Sequence, residues 1–248
     1  MGYEIHPTRR WNVHSTINPF KVQVQIMEQL GISASYIFDI GANKGEITDN
    51  YRQLFPSSTV YCFEPFPSCV KMLEQKFMED EKVVIVPKAI ADKEGTADFY
   101  VNHFIDSNSL LPRPTEKRRY YHHTAGYKET IQVEITTIDQ FVEENQIEKI
   151  DILKMDIQGG ELNALKGANQ LLESGKISII YAEVWFITHY ENNPLFHDLC
   201  KFLEGYSYSL MNIYHLVNAK NGQLRFGNAI FIHDDVRNKV LDQYPEEP

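Results

Sequence analysis

Short apolar runs alternate with segments of helical period along most of the chain, and this alternation limits the possible folds more than any other feature. The apolar runs are YIFDIG, TVYCFEP, VVIVPKAIA, KIDILKMD and ISIIYAEVWF, which begin at residues 36, 59, 83, 149 and 177. Each run has the length of a buried strand. Because parallel strands need long crossover connections, the pattern predicts a mostly parallel α/β sheet with helices on both faces.

The segments between these runs carry apolar residues at helical spacing. Helices are predicted over residues 20–30, 45–55, 67–77, 162–172 and 195–203. The last part differs, because SLMNIYHLVNAKNGQLRFGNAIFIH contains two alternating strands around Asn221-Gly222, a pair typical of β-hairpins. We therefore predict one domain over residues 36–248 with an antiparallel final strand, preceded by an arm and a helix over residues 1–35.

Charge and cysteine content argue against several classes of protein. The formal net charge is −10 at pH 7, whereas proteins that neutralise nucleic-acid phosphates need a basic excess, so no nucleic-acid partner is expected. The three cysteines form no C-x-x-C pair, which argues against a disulfide framework or a structural zinc site. No run has the apolar length of a signal-peptide core or a membrane span. We expect a cytoplasmic protein without membrane insertion.

A glycine-containing loop follows the first predicted strand, with the pattern Asp39-x-Gly41-x-Asn43-x-Gly45. Glycines at this point let a ligand approach the backbone closely, and the next helix offers free N–H groups. The dinucleotide fingerprint G-x-G-x-x-G is absent, since Asn43 and Glu46 replace two of its glycines. Glu46 in the first helical turn would repel a pyrophosphate. A cationic ligand without phosphate fits this loop better.

Glu64 ends the second predicted strand, 19 residues after Gly45. This spacing is close to that expected of an acid that binds ribose hydroxyls, and a carboxylate accepts hydrogen bonds from both hydroxyls of a diol. The predicted pocket therefore combines acidic groups and a ribose-binding acid with no phosphate cradle. S-adenosyl-L-methionine has the matching parts, namely a ribose, an amino-acid end and a sulfonium.

The sequence resembles the FkbM-type S-adenosylmethionine-dependent methyltransferases. The resemblance rests on FDIGANKGEIT, FEPFPSCVKML, KAIADKEGTADFYV, SNSL and ILKMDIQGGELNALKGA, which occur in this order from about residue 36 to 168. One departure is Gln158, where the family more often has an acid, so we assign no chemistry to this position. The resemblance implies a class I (Rossmann-like) fold, with a seven-stranded, mostly parallel sheet and an antiparallel last strand.

The resemblance also implies an activity and a set of cofactor contacts. The methyl group of S-adenosyl-L-methionine would go to a hydroxyl of a small molecule such as a sugar, a polyketide or a related secondary metabolite. Asp39, Gly41, Asn43 and Gly45 would line the methionine end of the cofactor, and Glu64 would bind the ribose. Ala89, Ile90 and Asp92 would contact the edge of the adenine. Asn108 and Ser109 belong to the SNSL motif of the family and complete the expected cofactor contacts.

Three side chains are candidates for the base that removes the acceptor's proton. Asp156 ends a long strand beside the predicted cofactor site, and its alternative roles are a helix cap and a cofactor contact. Glu183 lies within an apolar strand, where a buried structural partner is the alternative. His189 follows that strand and has a suitable ordinary pKa, although a loop histidine is often only exposed. Lys154 points the same way as Asp156 and is expected to pair with an acid. No metal site is predicted.

Residues 102–130 interrupt the alternation with a basic and aromatic cluster that includes RRYYHH. A lid over the acceptor and a solvated loop are both compatible with this composition. Two other functions stay open at this point. One is an oxidoreductase that uses a nicotinamide dinucleotide, against which the missing glycine and Glu46 argue. The other is a non-catalytic scaffold that keeps the pocket. The oligomeric state is unknown.

Overall fold

The computed structural model describes residues 18–114 and 127–240. It contains ten strands: β1 Tyr36–Ile40, β2 Thr59–Phe63, β3 Val83–Val86, β4 Ala89–Ile90, β5 Gly95–Asn102, β6 Tyr127–Thr136, β7 Ile150–Met155, β8 Ile177–Trp185, β9 Tyr208–Asn218 and β10 Leu224–His233. The helices are α1 Pro19–Gln29, α2 Glu46–Leu54, α3 Pro67–Lys76, α4 Ile138–Glu144, α5 Glu161–Lys166, α6 Asn169–Glu173, α7 Phe196–Glu204 and α8 Asp234–Val240, with a short 3-10 helix at Ile105–Ser107.

Seven strands form the main sheet, in the order β3-β2-β1-β7-β8-β10-β9. The first five pair in parallel, and β10 is antiparallel to both β8 and β9. This arrangement confirms the predicted mostly parallel sheet and its antiparallel final strand. The turn between β9 and β10 contains Gly222 at φ +84°, a conformation that glycine adopts without strain.

Each face of the main sheet carries its own apolar core, because successive side chains of a strand point to opposite faces. Phe38, Leu153 and Ile180 belong to one core cluster. Ile37 and Ile152, their sequence neighbours, belong to the other cluster. Helices cover both faces, so strands β1, β7 and β8 are buried along nearly their whole length, as is usual for parallel strands.

A second, three-stranded sheet has the order β4-β6-β5. The prediction of one strand over residues 83–91 was wrong, because the run divides at Pro87 into β3 of the main sheet and β4 of the small sheet. Proline lacks the N–H that a continuing strand would donate. The predicted helix over 162–172 also divides, at Gly167, where a Cβ atom would lie 2.2 Å from the carbonyl oxygen of Ala91. The chain turns there because only glycine permits this approach.

The predicted N-terminal arm lies mainly outside the described residues, and so does most of the basic and aromatic cluster, since residues 1–17 and 115–126 are not described. Within the described part of the cluster, the chain passes through the 3-10 helix and Asn108 before it returns at β6. Helix α8 was not predicted.

Candidate active site

A cavity of about 320 Å³ opens at the carboxyl ends of β1, β2, β4 and β7. Its volume falls within the range of about 300–1,000 Å³ that is usual for small-molecule sites. In open α/β sheets, ligands bind at this edge of the sheet. The lining includes Gly41, Asn43, Glu46, Glu64, Ala89, Ile90, Asn108, Lys154, Asp156 and Gln158, with apolar walls from Phe63, Phe99 and Leu110.

The loop after β1 passes very close to the loop after β7. Gly41 has φ +78°, and a Cβ atom at this position would lie 2.0 Å from the carbonyl oxygen of Asp156. The N–H groups of Gly41 and Ala42 both donate to the carbonyl oxygen of Phe63, at 2.9 and 3.1 Å. Gly45, at φ +75°, packs against Phe77 in the same way. Both glycines are therefore required by the packing of the loop itself.

Glu64 is held at the cavity by two backbone donors. Its Oε2 accepts from the N–H of Asn43 and its Oε1 from the N–H of Phe66, each at 2.9 Å. Burial raises the pKa of Glu64, while these two hydrogen bonds oppose the rise. Each carboxylate oxygen has a further lone pair for a ligand. The carboxylate is thus oriented in advance and retains acceptor capacity.

Asp39 lies beneath the cavity and is not among the residues that line it. Its Oδ1 pairs with Lys154 Nζ at 2.7 Å, and its Oδ2 accepts from the Thr48 hydroxyl at 2.7 Å. Burial opposes the charged form of Lys154, but the carboxylates of Asp39 and Asp156 outweigh it and raise the pKa of this lysine. Lys154 also donates to the carbonyl oxygen of Gly41 at 3.0 Å, which fixes the glycine loop. The expected pairing of Lys154 with an acid is confirmed.

Asp156 and Glu183 come together at the inner wall of the cavity. The Nε2 atom of Gln158 donates to Asp156 Oδ1 and to Glu183 Oε2, both at 2.8 Å. Asp156 lines the cavity, whereas Glu183 lies in the interior of β8. Burial, followed by the charge of Asp156, raises the pKa of Glu183 well above its ordinary value.

His189 lies apart from the cavity lining. Its Nε2 accepts a hydrogen bond from the Arg225 guanidinium, and its ring stacks against Trp185 with centroids 4.5 Å apart. Burial and the charge of Arg225 lower the pKa of His189 to about 4. The imidazole is therefore neutral at pH 7, and Arg225 occupies the lone pair that a base would use.

The other predicted residues divide into two groups. Ala89, Ile90 and Asn108 line the cavity, whereas Asp92 is exposed and outside the lining. Ser109 lies behind the wall, where its hydroxyl donates to the carbonyl oxygen of Gln158 at 2.9 Å.

The contribution of Gln158 was missed from sequence, as was that of Tyr190, whose hydroxyl donates to Gln158 Oε1 at 2.8 Å. The position of Gln158 in KMDIQGGE, directly after a buried strand, was the available signal. Across residues 18–114 and 127–240, no group of three or more His, Cys, Asp or Glu side chains could hold a metal ion. In the same part of the chain, no helix is long and apolar enough to span a bilayer.

The strand order, the single antiparallel strand and the cavity at the carboxyl ends define the class I methyltransferase fold. A sequence model of the family described as Methyltransferase FkbM domain matches residues 39–210. The chain belongs to this family, as its resemblance predicted.

Three known proteins show the range of similarity. The 2-O-methyltransferase NoeI of Sinorhizobium fredii is 27% identical over 176 residues, which cover 69% of this chain and 72% of NoeI. Methyltransferase sdnD of Sordaria araneosa is 26% identical over 161 residues, or 56% of this chain and 62% of sdnD. The crystal structure of Methyltransferase FkbM from Methylobacillus flagellatus has a TM-score of 0.50 at 15% identity, over 81% of this chain and 44% of that one.

Proposed function

We propose that this protein transfers a methyl group from S-adenosyl-L-methionine to a hydroxyl oxygen of a small molecule, such as a sugar or a polyketide. Membership of the FkbM family supports methyl transfer. The name of NoeI, a 2-O-methyltransferase, supports oxygen as the acceptor atom. The observation that carries the proposal is Glu64, whose two oxygens are oriented by backbone N–H groups at the cavity wall.

The residues at the cavity fit this cofactor. Glu64 would accept hydrogen bonds from the two ribose hydroxyls, and Ala89 and Ile90 would form an apolar surface for the adenine. The lining carries one more acid than it has lysines, which suits a ligand with ammonium and sulfonium groups. The acids are Glu46, Glu64, Asp106 and Asp156, and the lysines are Lys44, Lys88 and Lys154. Gly41 lets the β1 loop pack closely against the carbonyl oxygen of Asp156, which brings both loops to the cavity.

When bound, the cofactor would supply an electrophilic methyl group on a sulfonium. The chain's own contribution is to hold the acceptor hydroxyl in line with that group, to exclude water and to accept a proton. Positioning alone can lower a barrier by about 7–11 kcal/mol, and a general base adds about 10²–10⁴-fold. Asp156 is the base we propose, since it lines the cavity, whereas Glu183 is interior and His189 is bonded to Arg225.

We further propose a single methyltransferase domain over residues 36–248, in which residues 102–114 form part of the acceptor side of the site. The support is that Ile105, Asp106, Asn108 and Leu110 line the cavity. Asp106 also accepts a hydrogen bond from the Asn43 side chain at 2.9 Å, so this segment reaches across to the glycine loop.

Two experiments test the proposal, first calorimetry for cofactor binding and then an assay for methyl transfer. S-adenosylmethionine, S-adenosylhomocysteine and NAD are titrated into the protein, and only the first two are expected to bind. Methyl-labelled cofactor is then incubated with methyl glycosides that carry free hydroxyls and with polyhydroxylated polyketides, and mass spectrometry identifies the product. Binding of NAD alone would reject the proposal in favour of an oxidoreductase. Cofactor binding without any labelled product would favour a non-catalytic scaffold.

A further inference from the structure

Gln158 joins two acidic side chains through one nitrogen atom. A primary amide has two N–H hydrogens, and here one reaches Asp156 and the other reaches Glu183. We propose that Gln158 is a positioning residue that holds Asp156 and Glu183 as an acid pair with one negative charge, in which Asp156 takes the proton of the acceptor hydroxyl. The proton transfer from the acceptor to Asp156 rests on the methyl transfer proposed above, whereas the single negative charge of the pair does not.

The orientation of the Gln158 side chain is fixed by its other contacts. Its Oε1 accepts from the hydroxyl of Tyr190 at 2.8 Å, and Tyr190 is fully buried. Its own carbonyl oxygen accepts from the Ser109 hydroxyl. Exchange of the amide oxygen and nitrogen would bring Oε1 against two carboxyl groups, so the network selects one orientation. Gln158 holds this place with φ +58°, an uncommon backbone conformation for a residue with a side chain.

The charge of the pair follows from the distances and from burial. Both carboxyl oxygens lie 2.8 Å from the same nitrogen, so the two groups are close neighbours. Neighbouring carboxyl groups do not both ionise readily. Glu183 lies in the interior of β8 and Asp156 lines the cavity. Burial and the charge of Asp156 raise the pKa of Glu183 well above its ordinary value. We therefore assign the proton of the pair to Glu183, the interior member.

Four other titratable groups lie near Asp156 and Glu183. They are Lys154 on β7, Glu161 on α5, Tyr181 on β8 and Tyr190 beyond β8. Lys154 is bonded to Asp39 at 2.7 Å, and it is the cation among them. Its attraction favours the ionised member of the pair.

This arrangement assigns a direction to the proton in the proposed reaction. As the acceptor oxygen bonds to the transferred methyl carbon, its O–H bond breaks and the electron pair stays on oxygen. The proton moves to the carboxylate of Asp156, and the pair becomes neutral. Gln158 contributes by keeping Asp156 at the cavity in its ionised form before the reaction begins.

Carbon-13 NMR of protein labelled at the Asp and Glu carboxyl carbons tests the charge of the pair without any ligand. Asp156→Asn and Glu183→Gln assign the two signals. In the wild-type protein at pH 7, we expect a carboxylate signal for Asp156 and a carboxylic-acid signal for Glu183. In Gln158→Leu, the Asp156 signal should titrate at least about one pH unit higher, because the ionised form has lost its donor. Gln140→Leu, which removes a half-buried glutamine bonded to Glu144 on α4, a helix that contains neither acid of the pair, should leave both signals unchanged.

A Glu183 signal that is ionised at pH 7 in the wild-type protein would overturn the inference, as would an unchanged Asp156 midpoint in Gln158→Leu. If Gln158→Leu does not fold, Gln158→Glu serves instead, because it keeps the shape and replaces the donor. It should raise the Asp156 midpoint as well, and an unchanged midpoint would also reject the inference. Titration of the wild-type protein with S-adenosylmethionine tests the proposed function separately, so the two failures are distinguishable.

Discussion

In the proposed function, recognition of the cofactor depends on Glu64. Its substitution by Gln keeps the shape, but one oxygen that accepts from Asn43 or Phe66 becomes an NH₂ group that faces an N–H. Hydrogen bonds to charged groups contribute about 1.5–3 kcal/mol, so the affinity for S-adenosylmethionine should fall about 10- to 100-fold. Calorimetry measures this loss, with Glu74→Gln on the exposed side of α3 as the matched control. Equal affinities of the two variants would contradict the assigned role.

Sequence alone predicted Glu64 and Gly41, because spacing from the first strand fixes where such residues stand. The family resemblance implied that Asp39 lines the methionine end of the cofactor, but in the structure this acid lies below the cavity. The reason is a cross-strand register that the sequence does not display, in which Asp39 lies opposite Lys154. Gln158 was set aside because it departs from the family pattern, and its contact with Glu183 on another strand is not visible in the sequence.

At the scale of elements, the contact between the β1 loop and the β7 loop determines whether the cavity forms. Gly41→Ala would add a methyl group 2.0 Å from the carbonyl oxygen of Asp156, which forces the loops apart. Gly31→Ala is the matched control, since Gly31 has a similar φ of +68° and no atom within 4 Å of its added Cβ. Both variants bear the conformational cost of a positive φ, about 1–2 kcal/mol.

The difference in stability between Gly41→Ala and Gly31→Ala measures the cost of the contact with the Asp156 carbonyl oxygen. Overpacking adds about 1–3 kcal/mol, so urea denaturation should show Gly41→Ala to be less stable than Gly31→Ala by about that amount. Affinity for S-adenosylhomocysteine should fall in Gly41→Ala and stay unchanged in Gly31→Ala. Equal free energies of unfolding for the two variants would contradict the prediction, because they would show that the loops move apart without loss of stability.

Most element boundaries were predictable, and of the two exceptions one has a local cause and the other a long-range cause. The run over residues 83–91 reads as one strand, because all its residues suit a buried strand apart from Pro87 and Lys88. At that proline the chain passes from β3 of the main sheet to β4 of the small sheet. The helix break at Gly167 depends on how close Ala91 comes, a contact between parts of the chain about 75 residues apart that no local pattern contains.

For the whole molecule, buried acids make stability depend on pH. Burial raises the pKa of Glu161 from 4.5 to about 7, so between these values the folded state binds a proton that the unfolded state has lost. Stability from this group is present at low pH and declines as pH rises to about 7, by up to about 3 kcal/mol. His189 acts in the opposite sense, since its pKa is lowered to about 4 and its contribution declines as pH falls below 6.5.

Glu161→Gln separates these two effects. The amide oxygen still accepts from the N–H groups of Ile157 and Gly159, as Glu161 does, but it does not titrate. Relative to the wild-type protein, the variant should therefore gain stability between pH 5 and pH 8. Urea denaturation at several pH values measures the difference, and a constant difference across this range would contradict the pKa of Glu161.

Strand β7 lies between β1 and β8 at the centre of the main sheet, although more than 100 residues separate it from β1. The N–H of Asp156 donates to the carbonyl oxygen of Ile40, and Lys154 reaches Asp39 from the same strand. During synthesis, the glycine loop therefore leaves the ribosome long before the wall that completes it. If the proposed cofactor binds at this cavity, a growing chain would bind it only after β7 has entered the sheet, so binding would report that this late long-range step is complete.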